Sequence, residues 1–177
     1  MGRTEILIGG IGGQGVVLSG ILLGTAATLY DGKQAVQTQS YSSELRGGSA
    51  RAEVIISEEC VTDPEVRRPD ILILMAEDAV GRYLGKIKPH GLLVIDSDLV
   101  KGAKSGEYEI LSVPATSIAD KEMGNIVTAN LIILGALIKK TGLLSVESME
   151  KAIEVSVPKK AIALNLNAFR RGLELQP

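Results

Sequence analysis

Tryptophan is absent from this 177-residue chain, phenylalanine and histidine occur once each, and there is a single cysteine. Aromatic residues make up 3%, so the chain lacks the platforms on which proteins stack nucleic-acid bases. A net charge of -2 gives no electrostatic case for nucleic acid either. One thiol, Cys60, forms no internal disulfide, holds no iron–sulfur cluster and builds no structural zinc site. It reads as a small residue near a strand end, in a chain suited to a reducing cytoplasm. The lone histidine, His90, sits in a Pro-His-Gly turn. Without a nucleophile or carboxylate brought to it, that turn offers no Ser-His-Asp chemistry. No cluster of His, Cys and carboxylates suggests a metal site.

Membrane spans are excluded on composition. Residues Ile6 to Tyr30 carry no charge, but glycines and Gln14 interrupt them and would make a poor continuous helix. The uncharged run from Gly124 to Ile138 falls short of the ~20 residues a span requires. A soluble, cytoplasmic protein is expected. At this length, with 45% hydrophobic and 23% charged residues, it should fold as one domain with a full core. The mean hydropathy of +0.22 leans apolar and suggests surface covered by a partner.

The organising stretch is Gly9-Gly10-Ile11-Gly12-Gly13-Gln14-Gly15-Val16-Val17, which follows the apolar run Ile6-Leu7-Ile8. Strand, glycine loop and helix in succession form the first unit of an α/β fold. The helix then points free N–H groups beyond the strand ends, a setting that suits an anion. Written Gly10-x-Gly12-x-x-Gly15, the loop fits the dinucleotide fingerprint. That fingerprint also needs an acidic residue ending the second strand. Here the second strand, Ala35 to Gln39, ends in Gln39-Ser40, and Asp31-Gly32 reads as the turn before it. Two readings stand: a phosphate-binding loop, or glycines that let the first helix pack tightly on the sheet.

The helix from Gln14 to Leu29 is apolar nearly all round, and Gly20 and Gly24 allow a close neighbour. Residues Ala50 to Ser57 form a third strand, at or near a sheet edge, linked hairpin-fashion to the second, so the sheet is expected to be mixed. Ile71 to Met75, Leu92 to Asp96 and Tyr108 to Val113 are further strands, with a short helix from Glu77 to Leu84. Helices follow from Pro114, across Val127 to Lys140, after the cap at Ser145, and from Pro158 to a close at Gly172. The fold expected is α/β, a three-layer α/β/α arrangement around a mixed, mostly parallel, Rossmann-like sheet. Asp96 and Asp98 flank Ser97 at a strand end, and capping is the favoured role for them.

Between the second and third strands lies Tyr41-Ser42-Ser43-Glu44-Leu45-Arg46-Gly47-Gly48. Tyr, Glu and Arg there offer stacking, an acceptor and a fixed fork of donors, so a ligand or interface role is expected for Tyr41, Glu44, Arg46, Gly47 and Gly48. The pairing of Gly10 to Val16 with Tyr41 to Arg51 closely resembles the gamma subunit of 2-oxoacid:ferredoxin oxidoreductases, the pyruvate/ketoisovalerate oxidoreductase catalytic-domain family. Agreement extends over Ile55-Ile56-Ser57, Pro69-Asp70, the Pro-His-Gly-Leu-Leu turn, Asn130 to Ala136 and Asn165 to Gly172, covering essentially the whole chain, residues 1–177. The Tyr-x-x-Glu-x-Arg-Gly-Gly loop is most similar to the 2-oxoglutarate branch.

The resemblance implies a subunit of a complex that decarboxylates a 2-oxoacid oxidatively on thiamine diphosphate. Electrons pass through iron–sulfur clusters to ferredoxin, and an acyl-CoA is made. It implies alpha and beta subunits as partners, with a delta subunit where one is present. The clusters and thiamine diphosphate belong to those partners, and this chain alone binds no cofactor and supplies no catalytic residue. Gly10, Gly12, Gly13, Gln14 and Gly15 would face partners or part of the CoA, and the isolated chain would be able to pair with itself. Two rivals remain: a free-standing NAD(P)-binding enzyme, and a non-catalytic homo-oligomeric scaffold.

Overall fold

The computed structural model describes residues 2–41 and 48–175. Six strands form one sheet: β1 (Thr4–Ile11), β2 (Gln34–Tyr41), β3 (Ser49–Ser57), β4 (Ile71–Leu74), β5 (Leu92–Asp96) and β6 (Glu109–Val113). Their order across the sheet is β2-β3-β1-β4-β5-β6. β3 runs antiparallel to both β2 and β1, while β1, β4, β5 and β6 are mutually parallel. The mixed, mostly parallel sheet expected from the sequence is therefore the one observed.

Side chains alternate between two cores, as the two-residue strand period requires. Ile6, Ile8, Ile71, Ile73, Leu92 and Val94 point to one face, and Leu7, Leu72, Leu74 and Leu93 to the other. Helix α1 (Val16–Thr25), α3 (Ala115–Lys121), α4 (Ala129–Thr141), α5 (Val146–Ser156) and α6 (Ile162–Glu174) cover the first face. Among the described residues, α2 (Glu77–Tyr83) and loop residues such as Val66 and Val100 cover the second. The layers are thus α/β/α, but unequal.

Most strand and helix ends shift from the sequence reading by a residue or two, and three departures bear on packing. β1 continues through Gly9 and Gly10 to Ile11, so those glycines belong to the strand and the loop begins after Ile11. Helix α1 is shorter than expected and passes into a π-helical turn over Ala26–Tyr30. The last helix does not close at Gly172 but runs on to Glu174. Gly172 is buried against α4, where a Cβ would stand 2.9 Å from the Cα of Gly135 and overlap the carbonyl oxygen of Ile132. It marks a helix crossing, not a helix end.

Ser145 caps α5 as its sequence position suggests, accepting the N–H of Ser148 at 3.1 Å. Asp31 reinforces that cap from the far side of the chain. Its carboxylate accepts from the Ser145 N–H at 3.0 Å, the Ser145 hydroxyl at 2.8 Å and the Ser148 hydroxyl at 2.5 Å. No helix among the described residues is long and apolar enough to cross a membrane.

Candidate functional site

The chain leaves β1 on one face of the sheet through α1 and leaves β4 on the other through α2. Between the carboxyl ends of β1 and β4, then, the direction of the crossovers reverses. In open α/β sheets that is where ligands enter. The segment Gly12 to Gly15 sits over this point.

Gln14 closes it. Its Oε1 accepts the N–H of Ile11 at 2.8 Å, and its Nε2 donates to the carbonyl of Met75 at 2.7 Å. The amide thus bridges the end of β1 to the end of β4, using both its donor and its acceptor on backbone. Gly15 follows with φ 76°, a left-handed conformation that side chains disfavour. Its carbonyl accepts from the N–H and the hydroxyl of Ser19 at 2.8 and 2.9 Å, and from Nδ2 of Asn130 at 3.3 Å. A Cβ at Gly15 would meet that same Nδ2 at 2.5 Å. Asn130 is buried at the start of α4, and its Oδ1 has no hydrogen-bond partner among the described residues. Leaving a buried acceptor unpaired costs about 1–3 kcal/mol, so this contact is held at some expense.

The two loops singled out in the sequence meet here. Gly12 donates its N–H to the carbonyl of Gly48 at 2.8 Å. Tyr41, at the end of β2, is largely exposed. Glu44, Arg46 and Gly47 lie outside the described residues. Gly13, at φ 95°, has nothing near the position a Cβ would take, so its backbone faces open space.

Beside Gly13 and Gln14 opens a small cleft of about 110 Å³, floored by Met75, Asp96 and Thr116. Its rim carries Leu99, Ile126 and Val127, which are 39%, 57% and 55% exposed. Asp96 is fully buried. Burial pushes its carboxyl above the ordinary range, against the pull of the Thr116 hydroxyl at 2.6 Å and the Asp98 N–H at 3.1 Å. Asp98 accepts the Ser117 N–H at 2.6 Å and so ties the first turn of α3. Both aspartates hold the strand end to the helix, in line with the capping role expected of them. Asp31, in the turn before β2, reinforces the cap of α5.

His90 occupies an exposed turn with φ 62°, and Cys60 is an exposed free thiol just beyond β3. Among the described residues no group of His, Cys, Asp and Glu is arranged to hold a metal ion. Asn130 is the residue that sequence reasoning missed. Its signal was there: a lone amide in the apolar run from Ala129 to Ile138.

A model of the pyruvate ferredoxin/flavodoxin oxidoreductase family matches residues 5–175. The 2-oxoglutarate synthase subunit KorC of Methanocaldococcus jannaschii is 46% identical over 175 residues, covering 98% of this chain and 94% of that protein. Among solved structures, the gamma subunit of a keto/oxoacid ferredoxin oxidoreductase from Geobacter sulfurreducens superposes with a TM-score of 0.85. It is 39% identical, over 97% of this chain and 96% of that one. A 2-oxoglutarate:ferredoxin oxidoreductase from Magnetococcus marinus shares the fold with a TM-score of 0.87 at 24% identity. There the match covers 98% of this chain and 31% of a longer one.

Proposed function

The chain belongs to the pyruvate ferredoxin/flavodoxin oxidoreductase family, and from that membership we propose that it serves as the gamma subunit of a complex that oxidises 2-oxoglutarate. The complex would convert the 2-oxoacid and CoA to an acyl-CoA and reduce ferredoxin. The observation that carries the reading is the Gly12 to Gly48 hydrogen bond, which joins two separate loops into one surface beyond the strand ends. That surface has an apolar rim of Leu99, Ile126 and Val127, and the role proposed for it is to complete a site built mainly by other subunits.

The implied groups fit this chain unequally. An iron–sulfur cluster does not fit, because the sequence has one cysteine and cluster ligation takes several. A CoA pyrophosphate fits better: the open backbone of Gly13 and the first turn of α1 would hold it, with no side chain in the way at Gly13, while Gly12 donates its own N–H to Gly48 and so shapes the loop. CoA, when bound, supplies the thiol that accepts the acyl group. This chain's own contribution is to orient and to shield. Tyr41, Glu44, Arg46, Gly47 and Gly48 would form the adjoining contact with the alpha and beta subunits, in the cytoplasm.

A free NAD(P) enzyme is a poorer account. A cleft of about 110 Å³ is small against the ~300 Å³ at which ligand pockets begin, and no acid stands at the end of β2. Affinity capture of the tagged chain from its own cell, read by mass spectrometry, tests the assignment. Recovery with subunits bearing a thiamine diphosphate site and iron–sulfur ligands supports it, and recovery of the chain alone counts against it. The purified chain, given 2-oxoglutarate, CoA, thiamine diphosphate and a viologen dye, should show no oxidation; turnover by this chain alone would overturn the division of labour.

A further inference from the structure

We propose that Asn130 is a positioning residue for CoA: its side-chain amide clamps the Gly15 carbonyl and so aims the first-turn N–H groups of α1 outward, at the pyrophosphate. The inference rests on the reading of that helix end as the seat of the pyrophosphate. Helix α1 begins without a cap of its own. Gly15 stands at the capping position and offers no side chain, and the first turn carries no acid. Helix starts ordinarily take Ser, Thr, Asp or Asn there, and that side chain occupies a first-turn N–H. With glycine in that place the donors are left to a ligand.

The Gly15 carbonyl has more donors than a helix start needs, while Asn130 has fewer than burial calls for. The carbonyl accepts from the Ser19 N–H at 2.8 Å and the Ser19 hydroxyl at 2.9 Å, and Asn130 Nδ2 adds a third donor at 3.3 Å. The same Nδ2 reaches the Ser19 hydroxyl oxygen at 3.3 Å. Asn130 is 1% exposed, and its Oδ1 has no partner among the described residues. The rest of α4 from Leu131 to Ile138 is buried and, Gly135 apart, carries apolar side chains. An apolar side chain at 130 would strand no acceptor and would take from the Gly15 carbonyl nothing it needs. Satisfying hydrogen bonds therefore does not account for the amide; fixing a position does.

What it fixes is the peptide between Gly15 and Val16. In a trans peptide the N–H points opposite to the carbonyl. Holding the Gly15 oxygen toward Ser19 and α4 thus turns the Val16 N–H out past the helix start. The open backbone of Gly13 lies just before it. Glycine reaches φ 76° freely and leaves it as freely, so the orientation needs an outside hold. The hold is close. The place of a Cβ on residue 15 is filled by the Asn130 amide, with Nδ2 at 2.5 Å and Cγ at 2.6 Å. Glycine at 15 and asparagine at 130 form one matched unit, and Ser19 is its third member.

The test uses the reconstituted complex. CoA should slow hydrogen exchange from Gly13 to Leu18 of the wild-type chain. Asn130→Ala should raise the KM for CoA at least about fivefold, and leave kcat and the KM for 2-oxoglutarate within about twofold. Ser19→Ala, which removes one anchor of the amide, should move the same constant in the same direction by a smaller factor. It carries the test alone if Asn130→Ala does not assemble. Leu137→Ala, a truncation of buried core in the same helix, should lower the melting temperature and leave both KM values unchanged. Protection from Gly13 to Leu18, with a KM for CoA that neither Asn130→Ala nor Ser19→Ala moves, overturns the positioning role and leaves the seat in place. So does a rise in both KM values together, or a KM for CoA that Leu137→Ala raises equally. Exchange that CoA leaves unchanged there overturns the seat, and the role with it.

Discussion

Gly135 and Gly172 meet where α4 crosses α6, and neither has room for a methyl group. A Cβ on Gly135 would stand 2.9 Å from the Cα of Gly172 and overlap the carbonyl oxygen of Phe169, and the reverse holds for Gly172 and Ile132. Backbone touches backbone on both sides, so no side chain can rotate away to make space. Gly135→Ala should therefore lower stability by about 2 kcal/mol or more, net of the roughly 1 kcal/mol by which alanine improves a helix interior. Urea unfolding compared with the wild type measures it. A cost under about 1 kcal/mol would mean the helices separate more easily than their contact suggests.

Gln14 gives a second expectation, because its amide spends its donor on Met75 and its acceptor on Ile11. Gln14→Glu keeps the shape and the acceptor but sets a carboxylate against the Met75 carbonyl. We expect a loss of roughly 1–3 kcal/mol at pH 7. Part of it should return as the pH falls towards about 4.3, where the protonated acid regains a donor. Urea midpoints at pH 7 and pH 4.5, each against wild type, would reveal whether the gap narrows.

Asp31 carries a pH dependence of its own. Burial raises its carboxyl, but the hydroxyl of Ser148, the N–H and hydroxyl of Ser145 and the charge of Lys33 together bring it below the ordinary value. A carboxylate depressed in the folded state stabilises it above the unfolded value, about 3.9, and loses that contribution as the pH falls through the folded value. Asp31→Asn should cost on the order of 1 kcal/mol at pH 7, a capping-scale effect reduced by solvent screening. The difference from wild type should shrink below about pH 4. Parallel melts at pH 7, 5 and 3.5 test the sign; a gap that widens in acid would contradict it.

Val127, on the rim of the strand-end cleft, should matter to assembly and not to folding. Val127→Asp should leave the melting of the isolated chain within about 0.5 kcal/mol of wild type, as for most exposed sites. Binding to the partner subunits should weaken at least about tenfold, roughly 1.4 kcal/mol. Affinity measured on the reconstituted complex decides, and unchanged binding would take the rim out of the interface.

The strands were legible because their apolar runs are short and bounded by turns, and the hairpin from β2 to β3 followed from the short link between them. Gly9 and Gly10 were misplaced for a clear reason. Glycine signals a loop locally, while membership of β1 depends on pairing with Arg51 and Ala50, some forty residues away. Gly172 looked like a helix end because its packing against Gly135 is invisible along the chain. At the site, both loops were singled out in the sequence, but the work of Gln14 was not: an amide in a glycine loop reads as a ligand group until its two backbone partners are seen. Asn130 escaped notice because its partner, Gly15, lies 115 positions earlier.

The same distance has a bearing on synthesis. The first third of the chain is fastened by bonds from its last third: Gly15 by Asn130, Asp31 by Ser145 and Ser148, Lys33 by Leu143. On the ribosome β1, α1, β2 and β3 emerge long before those fasteners, and they wait with an apolar face uncovered until α4 and α5 arrive. Closure of so many residues at once makes for slow, late consolidation. In that interval the nascent N-terminal half is the part of the molecule most in need of a chaperone.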